Sequence, residues 1–91
     1  MGYAVEYDIR VQGDLKSIGA VAQKRIQAVI EAKLTSQPEL FGKPLRRSLV
    51  GFRVLRVGNY RVVYLVKGSM VIVFLIGDRK HVYQEALKRL S

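Results

Sequence analysis

Ninety-one residues with 49% apolar content, no cysteine, one histidine and a net charge of +9 make a small chain with material for one core. The missing cysteines exclude a disulfide framework, a thiolate metal site and a thiol nucleophile, and scattered carboxylates around a lone histidine leave little to hold a metal. No apolar run approaches the roughly 18 to 20 residues of a membrane span, and acids stand where a signal peptide starts basic, so a cytoplasmic protein without membrane association is expected.

The charge is unevenly placed. Residues 1–42 balance five basic groups against five acids, whereas residues 43–91 hold eleven basic groups against two acids, Asp78 and Glu85. A concentrated excess is the footprint of a polyanion site, nucleic acid first, and an acidic protein partner fits the same charge.

In chain order, "YAVEYDIR" (3–10) alternates Tyr3, Val5 and Tyr7 with Glu6 and Asp8, which predicts a half-exposed strand. From Asp14 the period lengthens. Leu15, Ile18, Ala22, Ile26, Val29, Ile30 and Leu34 form one apolar stripe, and Gly19 marks a joint between a short helix (about 11–18) and a longer one (about 20–35). Pro38, Gly42 and Pro44 then punctuate a loop. Gly51–Val57 and Tyr60–Val66 read as strands joined at Gly58-Asn59, a turn pair that tolerates positive φ. Met70–Gly77 is apolar throughout and reads as a central strand, and Val82, Ala86 and Leu90 give the tail a helical period. The order predicts one α+β domain over residues 1–91, with helices on one face of an antiparallel meander and the other face free.

On that free face, Arg56 and Arg61 flank the turn, and Arg79, Lys80, His81 and Tyr83 follow the apolar strand. This set is rich in positive charge, contains a phenol and an imidazole, and has no carboxylate pair. It suits a phosphodiester: the guanidinium forks of Arg61 and Arg79 stabilise the charge of a pentacoordinate transition state while an RNA 2′-hydroxyl serves as nucleophile. Tyr83 is suited to base stacking or proton transfer, with Arg56 and His81 auxiliary. Lys43, Arg46, Arg47, Arg53 and Lys80 are docking charges for a nucleic-acid backbone. Tyr60 and Tyr64 share strand parity with Val62 and Val66 and read as sheet packing. Lys88 and Arg89 suit the end of a helix dipole and need no further role. No phosphate-cradling fingerprint is present.

"FGKPLRRSLVGFRVLRVGNYRVVYLV" followed by "VIVFLIGDRKHVYQEALKRL" resembles the RelE/ParE superfamily of toxins from type II toxin–antitoxin systems, closer to RelE. The resemblance implies a RelE-like fold of the microbial-RNase kind: an N-terminal strand, a two-helix hairpin, an antiparallel three-strand meander and a short C-terminal helix. It implies a metal-independent, ribosome-dependent mRNA endonuclease with no small-molecule cofactor, whose partners are the ribosome, mRNA and a cognate antitoxin. By position, Arg61 matches the arginine of the family's "YR", Arg79 the arginine after the last long strand, Tyr83 the tyrosine of "VY" and Arg56 the basic residue before the turn. Two features depart from well-studied RelE members: Val54 stands where many relatives are basic, and the common "HR" is Asp78-Arg79, with the histidine at His81. The resemblance also leaves two other expectations, a ParE-like DNA gyrase inhibitor without catalysis and a silent antitoxin-binding relic.

Overall fold

The structure, a computed structural model, describes residues 2–91. Its elements are β1 (Ala4–Tyr7), α1 (Val11–Lys16), α2 (Ala20–Val29, continued as a π-turn through Ile30–Leu34), β2 (Lys43–Pro44), a 3-10 turn (Arg47–Leu49), β3 (Arg53–Val57), β4 (Tyr60–Lys67), β5 (Met70–Asp78) and α3 (Val82–Leu90). The expected α+β class and element order are present, with the two-residue β2 as an addition. Gly19 breaks the helices as its position suggested, holding an extended backbone (φ −68°, ψ 157°) just ahead of α2.

Five strands form one mixed sheet in the order β1-β5-β4-β3-β2, β1 running parallel to β5 and the other pairs antiparallel. Flanked on both sides, β5 can be apolar throughout, and Val71 and Val73–Ile76 are buried. The α1–α2 stripe covers one face: Ile26, Ile30 and Leu34 are fully buried against Leu55, Val57, Val62, Tyr64, Val71 and Val73. Each such side chain contributes about 1.5–3 kcal/mol by leaving water.

A bulge builds a second core behind the sheet. Val63 pairs with Leu75 but Tyr64 pairs with Val73, so Phe74 is an extra residue in β5. Phe74 and Leu75 both join Leu49, Val54, Val63, Val82 and Ala86, while Val73 and Ile76 stay with the helix-face core. The face expected to be free is therefore partly covered, by α3 and by the segment around Leu45–Phe52, because the bulge supplies apolar area there that water would otherwise reach.

Arg89, read from the sequence only as a charge suited to a helix end, fastens α3. The parallel partner β1 ends opposite Val73, so the edge of β5 beyond it has no strand neighbour. Asp14 accepts the Ile76 N–H at 3.0 Å, and Arg89 Nη1 donates to the Phe74 carbonyl at 2.9 Å. The two side chains close on each other as a bidentate pair at 2.8 and 2.9 Å, 11% and 12% exposed. Leu90, in helical step with Val82 and Ala86, is exposed, and Arg89 turns inward beside it. The guanidinium groups of Arg10 and Arg89 also lie over the Phe74 ring, at 5.5 and 6.0 Å from its centre. Among the described residues no helix is long and apolar enough to cross a membrane.

Candidate functional site

A groove of about 550 Å³ opens on the second face, lined by Leu40, Phe41, Gly42, Lys43, Val54, Leu55, Arg56, Arg61 and Tyr83. Its floor is the β3–β4 hairpin. Gly58 takes the left-handed backbone (φ +60°) that a tight reversal requires, and the register it sets puts Arg56 directly opposite Arg61. Both share the face of Val54 and Val63, because residues two apart in a strand point the same way. Like charges opposed across an antiparallel pair, with Cβ atoms about 4.5–5.5 Å apart, destabilise the sheet, and an anion lying between them would relieve that cost. Arg61 is oriented by Nη1, which donates to the carbonyls of Gly58 (3.1 Å) and Tyr60 (2.9 Å).

One wall is the first turn of α3, which carries Tyr83, 40% exposed. Two features place it. Arg61 pairs with Gly77, and a Cβ there would meet Val82 at 3.4–3.6 Å, ordinary van der Waals contact, so α3 starts packed against this end of β5. Asp78 Oδ1 accepts the N–H groups of Lys80 (2.9 Å) and His81 (3.0 Å) and contacts His81 Nδ1 at 2.9 Å, fixing the turn that launches the helix. The hydrogen bond from His81 holds the Asp78 carboxyl below the usual carboxylate range.

The other wall is the 38–43 segment, pinned from below. Tyr64, fully buried, donates its hydroxyl to the Pro38 carbonyl (2.7 Å) and accepts the Gly42 N–H (3.4 Å), while Arg53 Nη2 donates to the Gly42 carbonyl at 2.6 Å. Burial pushes the Tyr64 phenol up, opposed by the Arg53 guanidinium beside it. A side chain at position 42 would collide with the Tyr64 hydroxyl, so only glycine brings the segment this close to β4.

Of the residues singled out from the sequence, the structure brings Arg56, Arg61, Tyr83 and Lys43 together. His81 lines a different cleft of about 340 Å³ with Asp14, Tyr60, Asp78 and Glu85, across the start of α3 from Tyr83. Arg79 is exposed at the hairpin tip, its N–H donating to the Asn59 carbonyl (2.9 Å), and does not line the groove. Lys80 lies exposed in the turn before α3. Arg46 and Arg47 are exposed on the far segment, Arg47 with a left-handed backbone (φ 57°). Arg53 shares the helix face with Leu55 and Val57, and its guanidinium braces the groove wall from behind. Leu40, Phe41 and Leu55 were not anticipated, since a lone leucine in a Pro/Gly loop gives no periodic signal; Val54, noted from the sequence as standing where many relatives are basic, lines the groove.

The chain matches over residues 5–83 the family described as ParE toxin of type II toxin–antitoxin system, parDE. Toxin RelG of Mycobacterium tuberculosis is 29% identical over 89 residues, covering 92% of this chain and 99% of the relative. A chain of the M. tuberculosis toxin–antitoxin complex RelBE2 superposes with a TM-score of 0.82 at 26% identity, covering 87% of this chain and 93% of that one. A free-state mutant of E. coli toxin RelE superposes with a TM-score of 0.78 at 23% identity over the full length of both chains. The chain belongs to the ParE toxin family, within the RelE/ParE superfamily of toxins from type II toxin–antitoxin systems.

Proposed function

We propose that this toxin is a metal-independent endoribonuclease that cuts mRNA on the ribosome and is held inactive by a cognate antitoxin. The observation that carries the reading is the opposed Arg56–Arg61 pair beside Tyr83 in a groove lined by no carboxylate. Both guanidinium groups and Lys43 are donors only, suited to the non-bridging oxygens of one phosphate. The substrate 2′-oxygen attacks the adjacent phosphorus, the bond to the 5′-oxygen breaks, and the products are a cyclic 2′,3′-phosphate and a free 5′-hydroxyl. The arginines bind the extra charge of the pentacoordinate state more strongly than the ground state. Tyr83 is the one groove side chain with an oxygen that both gives and accepts a proton. Arg79, Lys80, Arg46 and Arg47 lie outside the groove and serve as docking charges. His81, engaged by Asp78, acts through the turn that sets Tyr83. The RelBE2 relative occurs as a toxin–antitoxin complex, which supports an antitoxin partner here.

Toeprinting of mRNA on purified ribosomes tests the reading. The expected result is a new A-site cut that falls about 100- to 1000-fold in Arg61→Ala, a variant that keeps its melting temperature. The ParE description of the matching family favours a second reading, inhibition of DNA gyrase by binding alone. Under it no cut appears, added protein lowers gyrase supercoiling, and Arg61→Ala changes little. Neither cutting nor gyrase inhibition from the folded protein leaves a silent antitoxin-binding relic.

A further inference from the structure

We infer that Lys43 is the general acid of the cleavage, the group that gives a proton to the leaving 5′-oxygen. The inference rests on the RNA-cleaving reading of the groove and assigns the one proton that this reading leaves without a donor.

Breaking the bond to the 5′-oxygen releases an alkoxide, a far stronger base than an amine, unless a proton arrives as the bond breaks. The groove offers four side chains with a polar hydrogen, those of Lys43, Arg56, Arg61 and Tyr83. A guanidinium does not release its proton in a protein, so Arg56 and Arg61 hold charge and move none. In an in-line displacement the entering and leaving oxygens stand on opposite sides of the phosphorus. Tyr83 can serve only one of them. Lys43 remains for the other.

The strand register places this lysine. Lys43 pairs with Val54 across β2 and β3, so its side chain shares the face of Val54 and, two residues on, of Arg56. Diagonal neighbours in an antiparallel pair lie about 7–8 Å apart, and Arg56 is that neighbour of Lys43. Arg61 is directly opposite Arg56 on the next strand, so three cations step across β2, β3 and β4. The helix carrying Tyr83 begins after β5, beyond β4. The arginine pair therefore lies between the strand of Lys43 and the helix of Tyr83, the order that in-line attack on a phosphate at that pair requires.

The backbone of Lys43 is held on both sides. Gly42 before it is tied by its N–H to Tyr64 and by its carbonyl to Arg53. Pro44 after it pairs with Arg53 in the sheet, and its ring fixes φ. Among the described residues no carboxylate is in ion-pair reach of Lys43, which leaves the ammonium free for substrate. Val54 is apolar, and the cation absent from position 54 stands directly across from it. In the reaction the 2′-oxygen bonds to phosphorus as its proton passes through the Tyr83 oxygen to water. The bond from phosphorus to the 5′-oxygen breaks, its electron pair goes to that oxygen, and the oxygen takes the proton from Lys43 Nζ. The neutral amine then takes a proton back from water.

The test uses ribosome complexes whose mRNA carries either the ordinary 5′-oxygen or a bridging 5′-sulfur at the A-site cut. A thiol is far more acidic than an alcohol, so the sulfur leaves without a proton. On the oxygen mRNA, Lys43→Ala and Lys43→Arg are expected to cut about 100- to 1000-fold more slowly than wild type at saturating toxin. On the sulfur mRNA both are expected to cut within about threefold of wild type, which also shows them folded, while Arg61→Ala is slow on both. Equal losses on the two mRNAs make Lys43 a phosphate contact and overturn the inference. Wild-type cutting of the oxygen mRNA by Lys43→Arg, which keeps the charge without a proton to give, overturns it as well. In either case cutting that depends on Arg61 keeps the nuclease reading. If wild type cuts neither mRNA, the nuclease reading falls and the assignment of Lys43 falls with it.

Discussion

On the helix side of the sheet seven core residues, Ile26, Ile30, Leu34, Val62, Tyr64, Val71 and Val73, have no exposure, whereas on the α3 side only Val63, Val82 and Ala86 do and Leu49, Val54 and Phe74 keep 7–8%. The first side is a continuous apolar layer under two helices. The second is a smaller core that stops halfway along the hairpin, where two opposed arginines take over. One sheet thus divides its labour: the face under α1 and α2 supplies the larger core, and the face that carries the arginine groove accepts a like-charge pair that a bound anion would offset. Stability and activity should accordingly respond to different substitutions.

Opposite substitutions on the two faces should separate the most. Ile26→Ala is expected to cost about 2–5 kcal/mol, with about 4–8 °C of melting temperature lost per kcal/mol, and to leave toxicity per folded molecule unchanged. Arg56→Ala is expected to reduce cutting about 100-fold while its melting temperature stays level or rises slightly, since an opposed like charge is gone. A fall of several degrees in Arg56→Ala would break the division. Next in size, Asp14→Ala should cost about 3 kcal/mol by leaving Arg89 without its partner. Arg89→Met in the same chain should recover part of that loss, as denaturant midpoints would report, and hydrogen exchange should place the loosening in α3. Tyr64→Phe leaves the Pro38 carbonyl without its donor and should cost about 1–3 kcal/mol. Its mark is a faster-exchanging 38–43 segment and weaker RNA binding, which links the two faces through the groove wall. The smallest effect is in acid. The hydrogen bond from Arg10 holds the Asp8 carboxyl at about 2, below its ordinary 3.8. The folded state therefore binds fewer protons, and this stabilisation is full above about pH 4 and lost as pH falls toward 2. Melting temperatures measured against pH should fall less steeply below pH 4 in Asp8→Asn than in wild type.

Much of the fold was legible because its signals are periodic. The seven-residue stripe from Leu15 to Leu34 is buried or half-buried as its spacing demanded, and the Gly58-Asn59 turn and the unbroken β5 run fell where composition put them. The bulge at Phe74 was hidden by that same run: with no alternation in Met70–Gly77, nothing marks where the register slips. The site was legible only in part, and geometry explains the division. Arg53 and Arg56 are three apart in a strand, which puts them on opposite faces by parity alone. His81 and Tyr83 are two apart at the start of a helix, about 200° around its axis, so neighbours in sequence look into separate clefts. Arg61 and Tyr83 meet only because α3 starts from the end of β5, the strand beside β4, a tertiary fact without a local signature.

The clamp of Asp14 and Arg89 on β5 also bears on how the toxin survives at high concentration. Beyond the end of β1, the sequence Phe74-Leu75-Ile76 would present a bare, strongly apolar strand edge, the template on which a second chain adds a strand and aggregation begins. Side chains occupy both of its outward backbone groups that a stranger would need, the Ile76 N–H and the Phe74 carbonyl. The clamp therefore guards solubility as well as helix position, and a chain that loses it should precipitate before it unfolds.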